Sequence, residues 1–216
     1  HFFEELPEIP YIMEEYLTGS ITTYDGIINK KGKVLFAASH ITENSIMDMV
    51  NEGVPVYYYV DKEVPADIEK AGKDVLKAFD VKGRFFHLEF FRLTEDKEGI
   101  GKKGDIAALE VNMRPCGGFG PDMMNFANST DVYKIYADMI AYDSTLKTCG
   151  EHQYCVFVGR RDRRAYQISG EELAKKYADH MRMQVRMPDA LADAMGNQVY
   201  IAVFPDEEGL AAMNTW

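Results

Sequence analysis

Two apolar segments, each carrying one carboxylate and joined by a charged loop, limit the folds open to this chain more than any other feature. Phe85-Phe86-His87-Leu88-Glu89-Phe90-Phe91 reads as a strand, and so does Ile106-Ala107-Ala108-Leu109-Glu110-Val111-Asn112. Side chains alternate faces along a strand, so Phe86, Leu88 and Phe90 share one face while His87 and Glu89 take the other. By the same rule Ala108, Glu110, Asn112 and Arg114 fall together, opposite Leu109 and Val111. The intervening Thr94–Gly104 carries three glycines and many charges, which suits a hairpin connection. Closing that hairpin about Gly99 and Ile100 sets Glu89 opposite Glu110, roughly 5 Å apart at Cβ. Two like charges so placed repel, and apolar neighbours worsen the repulsion. A divalent cation relieves it, with Glu89 and Glu110 as hard oxygen ligands and the Asn112 carbonyl as a third.

That arrangement suits phosphate chemistry. Mg²⁺ keeps several waters and binds through one or two carboxylates together with substrate phosphates. Arg114, two residues beyond Asn112 on the same face, would then meet a phosphoryl group or an anionic transition state.

Glu89, followed by Glu110-Val111-Asn112-Met113-Arg114, resembles the metal-binding strands of the ATP-grasp superfamily. A second likeness lies in Tyr11-Ile12-Met13-Glu14-Glu15-Tyr16-Leu17-Thr18-Gly19, which is similar to the strand and hinge that contact adenine there. Carried over by position, Glu14, Glu15, Tyr16 and Leu17 form the nucleotide-contacting segment. The Glu15 carbonyl would accept from the adenine amino group, and the Leu17 amide would donate to a ring nitrogen. Ser20–Gly26 and Gly32–Phe36 look like the antiparallel strands that follow the hinge. The likeness runs from Tyr11 to about Tyr142. Ser20, Ile21 and Thr22 stand where many members place a ribose-binding acidic residue. Lysines and a glycine-rich flap lie upstream of the hinge in the family, whereas this sequence starts only about ten residues before it. The chain therefore reads as the C-terminal portion of a longer enzyme, inactive by itself.

The resemblance implies an α+β fold: an ATP-grasp C-terminal lobe with a mainly antiparallel sheet, related to the ATP-binding domains of biotin carboxylase and carbamoyl-phosphate synthetase. It implies ATP and Mg²⁺ (or Mn²⁺) as cofactors and small-molecule carboxylate and amine substrates. Glu89, Glu110 and Asn112 would be metal ligands and Arg114 the catalytic residue. A homodimer is compatible with it. After Arg114 comes Pro115-Cys116-Gly117-Gly118, and an Arg followed by paired glycines resembles the carboxylate–amine ligases more than biotin carboxylase. A bicarbonate-dependent carboxylase and a non-catalytic ATP-binding module are the alternatives.

Composition sets outer limits. With 216 residues and 46% apolar content, the chain can bury one good core. A net charge of −11 disfavours nucleic acid and acidic membranes as partners. No apolar run approaches the roughly 18 residues of a membrane span. Three cysteines, an odd number, point to a reducing compartment, with the cytoplasm as default.

Along the chain, helices are expected at Asn44–Glu52, Ala66–Phe79, Asp131–Tyr142 (capped by Ser129 or Thr130), Gly170–His180 and Asp206–Met213. Further strands are expected at Val56–Val60, Met183–Arg186 and Gln198–Phe204. A hairpin of Tyr154–Val158 and Ala165–Ile168 would turn at Arg160–Arg164, a solvated tip. The polar stretch 144–153 separates residues 1–143, the ATP-grasp portion, from 154–216, a small α+β subdomain. Helices would pack on one side of the sheet. His87 reads as a hydrogen-bonded strand histidine near the site, with orienting a metal ligand or touching a phosphate as the lesser reading, and His40 as a strand-end residue with a lesser claim to a ribose or phosphate contact. Cys116 reads as a small residue packed beside the glycines, since the sequence supplies no base to activate it. Cys149, His152 and Cys155 match no usual zinc spacing.

Overall fold

A computed structural model describes residues 7, 9–42 and 56–213. Its strands are β1 (Gly19–Ile28), β2 (Val34–Ala38), β3 (His40–Thr42), β4 (Val56–Val60), β5 (Arg84–Leu93), β6 (Ile106–Asn112), β7 (Tyr154–Arg160), β8 (Met181–Arg186) and β9 (Gln198–Phe204). Six helices accompany them among the described residues: α1 (Ala66–Ala78), α2 (Gly120–Asn128), α3 (Val132–Tyr142), α4 (Gly170–Lys176), α5 (Asp189–Met195) and α6 (Glu207–Ala212). The expected Asn44–Glu52 helix lies outside the described residues.

All nine strands join one antiparallel sheet in the order β6-β5-β1-β3-β4-β7-β9-β8, with β2 also paired to β1. The fold is α+β, as the sequence pattern requires. Residues 144–153 form no helix or strand, yet the sheet continues across that connection, because β7 pairs with β4 on one side and β9 on the other. The last third of the chain thus extends the same sheet.

Helices cover both faces of this sheet, where one face was expected. The reason is visible in β1 and β7, whose consecutive residues are buried without alternation from Thr22 to Ile28 and from Cys155 to Arg160. A strand buried on both sides needs a layer on each. Ile27 and Phe157 pack with Met123, Met124, Ile135 and Met139 of α2 and α3. Tyr24, Ile28, Phe86 and Leu88 point the other way, onto Ile68 and Leu76 of α1. Val156, Val158 and Tyr200 meet Leu173 of α4 and Leu210 of α6.

In α1, Ile68 and Leu76 lie on the buried stripe as expected, while Phe79 is the C-terminal cap and is 62% exposed. Gly72, a poor helix former, sits mid-helix because a Cβ there would overlap the ring of Tyr24. The cap of α3 is Asp131, whose carboxylate accepts from the Lys134 amide at 2.9 Å. Ser129, expected to start that helix, instead ends α2 in the left-handed conformation. Helix α4 stops at Lys176, short of His180, after a capping box between Ser169 and Glu172.

Two other expectations fail. Tyr11–Thr18 form no strand: the stretch has no neighbouring strand to pair with among the described residues, and Ile12, Met13 and Tyr16 are exposed. Ala165–Ile168 form none either, because β7 already has partners on both edges. The arginine run is a solvated tip only in part: Asp162, Arg163 and Arg164 are exposed, whereas Arg160 and Arg161 turn inward. Arg160 lies 3.9 Å over the Tyr166 ring and donates to the Ile168 carbonyl, and Arg161 donates to the Ala192 and Asp193 carbonyls; both are buried.

Candidate functional site

The β5–β6 hairpin places Glu89 opposite Glu110 and His87 opposite Asn112. Immediately past Glu89 the register shifts, so that Phe90 pairs with Ala108. Glu110 is exposed; Glu89 is partly covered. The Asn112 amide donates to Glu110 Oε2 at 2.8 Å, leaving its carbonyl oxygen free to bind a cation. Three hard oxygens thus converge on one face. The donor set fits Mg²⁺ or Mn²⁺, which favour carboxylate, carbonyl and water ligands. Arg114 is exposed, with its guanidinium donating to the Pro115 carbonyl at 3.0 Å.

Behind the carboxylates lies a buried polar network that the sequence does not reveal. Asp25, on β1 opposite His87, is 1% exposed. Its Oδ1 lies 2.5 Å from His87 Nδ1 and its Oδ2 2.8 Å from His40 Nδ1. Thr23 donates its hydroxyl to the same Oδ2 and accepts from the His40 amide at 2.8 Å. His87 Nε2 continues to Glu89 Oε1 at 3.0 Å. Burial alone would raise the Asp25 carboxyl, but the two imidazoles override it and hold the group well below the usual carboxylate range. Burial would likewise lower His87, yet hydrogen bonds to Asp25 and Glu89 push it up to about 10. The His87 hydrogen bond also lowers Glu89 against the opposing effect of its burial. His87 is therefore a cation held between two carboxylates, and it fixes the Glu89 side chain from behind.

The strand histidine expected at position 87 is thus also the residue that orients Glu89. Asp25 and His40 were the missed partners. The sequence marks His40 as a strand-end residue near a ligand but does not mark Asp25, and their link to His87 is hidden because they lie on strands distant along the chain from β5. A cavity of about 290 Å³ opens beside the network, lined by Thr23, His40, Tyr58, Glu89, Cys116 and Gly118 among others. A larger one, about 560 Å³, lies between α1 and the β1–β2 strands, away from the carboxylates.

Residues Glu14, Glu15, Tyr16 and Leu17 lie in an irregular segment held against the hairpin loop. Lys97 pairs with Glu15 at 2.5 Å, and the Thr18 hydroxyl donates to Glu95 at 2.7 Å. The structure brings Glu89, Glu110 and Asn112 together. It leaves the 14–17 backbone open to solvent except around Leu17.

No family model matches the sequence, and no curated protein matches it. Solved structures do. Phosphoribosylglycinamide synthetase from Anaerococcus prevotii aligns with 93% of this chain at a TM-score of 0.57 and 14% identity. The phosphoribosylaminoimidazole carboxylase ATPase subunit from Aquifex aeolicus aligns with 93% at 0.61 and 16% identity. Biotin carboxylase from Campylobacter jejuni, solved with a β,γ-ATP ligand, aligns with 93% at 0.57 and 10% identity. These are enzymes of the ATP-grasp fold, and this chain has that fold. It spans about half the length of each, 53%, 55% and 45% respectively.

Proposed function

We propose that this chain is part of an ATP-dependent ligase that activates a carboxylate as an acyl phosphate and joins it to an amine, releasing ADP and phosphate. The observation that carries this reading is the opposed Glu89–Glu110 pair, with Asn112 and Arg114 following on β6 and the loop after it, in a sheet of ATP-grasp architecture. Glu89, Glu110 and the Asn112 carbonyl would hold Mg²⁺ or Mn²⁺, which neutralises and aligns the phosphates of bound ATP. Arg114 would swing from the Pro115 carbonyl to the transferring phosphoryl group. The Glu15 carbonyl and Leu17 amide would contact adenine. A carboxylate is already a nucleophile, so phosphoryl transfer needs no general base. The three cysteines are unpaired, in keeping with a cytoplasmic protein, and no helix among the described residues is long and apolar enough to cross a membrane.

Likeness to two proteins named as carboxylases or parts of one supports a second reading, with bicarbonate as the activated acid. The Gly117-Gly118 pair weighs against it, because the likeness after Arg114 is to the amine-using ligases. The deciding experiment follows phosphate release by the natural-length protein with Mg-ATP, pooled carboxylates and amino acids, scoring ADP against AMP. Carboxylate-dependent ADP and phosphate are the expected result. Strict dependence on bicarbonate selects the carboxylase. AMP refutes acyl-phosphate chemistry, and ATP retention without turnover identifies a binding module.

A further inference from the structure

Among the described residues few buried side-chain polar atoms lack a partner, and His40 Nε2 is one of them. The ring is 6% exposed, so water does not satisfy it freely. Asp25 accepts at Nδ1, which makes Nε2 the ring nitrogen left to meet a ligand. Nε2 faces the space around Gly120, where an added Cβ would stand 3.5 Å from it and overlap Cys116 Sγ. The absence of a side chain at position 120 therefore keeps a gap open between a sulfur and an imidazole nitrogen. Asp25, His40 and Cys116 each present a ligand atom within 4.8 Å of the others, and both His40 and Cys116 line the 290 Å³ cavity.

We propose that His40 Nε2 and Cys116 Sγ form a binding site for a soft divalent cation, Zn²⁺ in particular, in the cavity that Glu89 also lines but on a different donor set. Sulfur and imidazole select zinc over magnesium, whereas Glu89, Glu110 and Asn112 offer only oxygens. Asp25 is already engaged by Thr23, His40 and His87, so it serves as the carboxylate behind a ligating histidine, fixing ring orientation and tautomer. With two protein ligands, cavity solvent or a bound small molecule would supply the remaining two of a tetrahedral set. Burial, with the Asp25 charge adding to it, pushes the Cys116 thiol well above its ordinary value. A standing thiolate nucleophile is thereby disfavoured. A coordinated cation reverses this, since binding releases the thiol proton to solvent. The inference does not rest on the ligase reading: phosphate release can fail while zinc binds, and the reverse.

Co²⁺ is the probe of choice, because a cobalt–thiolate bond adds a charge-transfer band in the near ultraviolet. The exposed Cys149 is first replaced by serine to remove an adventitious thiol. In that background Co²⁺ should produce the band, and Zn²⁺ should displace it. Cys116→Ser should abolish the band and weaken Zn²⁺ binding at least tenfold; His40→Gln should weaken binding to a similar degree. Glu110→Gln should leave both unchanged. Should either cavity variant misfold, the unsubstituted chain still decides, by mass-spectrometric mapping of Cys116 alkylation with iodoacetamide. Zn²⁺ should slow that alkylation at least tenfold. No thiolate band, a band that survives Cys116→Ser, or alkylation unaffected by Zn²⁺ would each overturn the assignment.

Discussion

The two sides of the polar cluster differ in how their charges are settled. Asp25, His40 and His87 are buried and hydrogen-bonded to one another, so this side is held together by protein groups, with His40 Nε2 left facing the cavity. Glu110, Asn112 and Arg114 stand at the edge of the sheet, where Glu110 and Arg114 are exposed, one accepting from the Asn112 amide and the other donating to the Pro115 carbonyl. Glu89 joins the two, bound from behind by His87 and facing Glu110 in front. The contrast teaches how one carboxylate of a facing pair can be positioned by buried protein groups while the other stays exposed, held only by a neighbouring amide. It also implies that substitutions on the buried side act through stability and those on the open side through chemistry.

That division can be broken most forcefully at Glu110. In the natural-length protein, Glu110→Gln should reduce phosphate release by on the order of 10²-fold or more. Its unfolding free energy should move by only about 0.5 kcal/mol, as for an ordinary surface change. Wild-type turnover in that variant would refute the metal assignment. Asp25→Asn should do the opposite and cost roughly 3–5 kcal/mol in urea unfolding, because it leaves two buried imidazoles without their carboxylate. A loss under 1 kcal/mol would show the network to be incidental.

The pH profile sharpens the same contrast. His87 is raised from its ordinary 6.5 to about 10. Its contribution is therefore complete below about pH 6.5 and is lost as pH climbs toward 10. The Asp25 carboxyl is depressed, so its contribution is present above the ordinary 3.8 and fades as pH falls below it. Cation-free urea midpoints should pass through a plateau between these limits, and His87→Gln should flatten the alkaline decline. An unchanged alkaline slope in that variant would assign the decline to other groups.

Two smaller effects test the surroundings. Gly72→Ala drives a methyl into Tyr24, the residue next to Asp25, and should cost about 1–3 kcal/mol despite the better helix propensity of alanine. A stabilised variant would mean that α1 shifts freely on β1. Asp131→Ala removes a cap remote from the cluster. It should cost about 1 kcal/mol by thermal unfolding and leave turnover alone.

Local pattern made some elements legible and left others hidden. The His87–Glu89 stretch of the β5–β6 pairing could be read from period-two alternation and a glycine-bearing loop, but the shift that pairs Phe90 with Ala108 could not. β4 and β9 fell on their expected residues for a similar reason, as short apolar β-branched and aromatic runs. The Arg160–Arg164 run misled at its first two residues, since a charged cluster looks solvated until tertiary neighbours offer carbonyls and a ring. Tyr11–Gly19 misled differently: strand composition has no consequence where no neighbouring strand offers hydrogen bonds. Helices α2 and α5 went unseen because each is short and opens on glycine, proline or aspartate, residues that in sequence read as loop.

By itself the sequence determined the hairpin, the placing of Glu89 opposite Glu110, and the polar face that continues to Asn112. These depend on alternation and chain symmetry over some thirty residues. Only the tertiary structure decided that Asp25 and His40 stand behind them, that Cys116 shares their cavity, and that helices cover both faces of the sheet. Such contacts join strands far apart along the chain. Their identity depends on the order of strands in the sheet, and no local periodicity encodes that order.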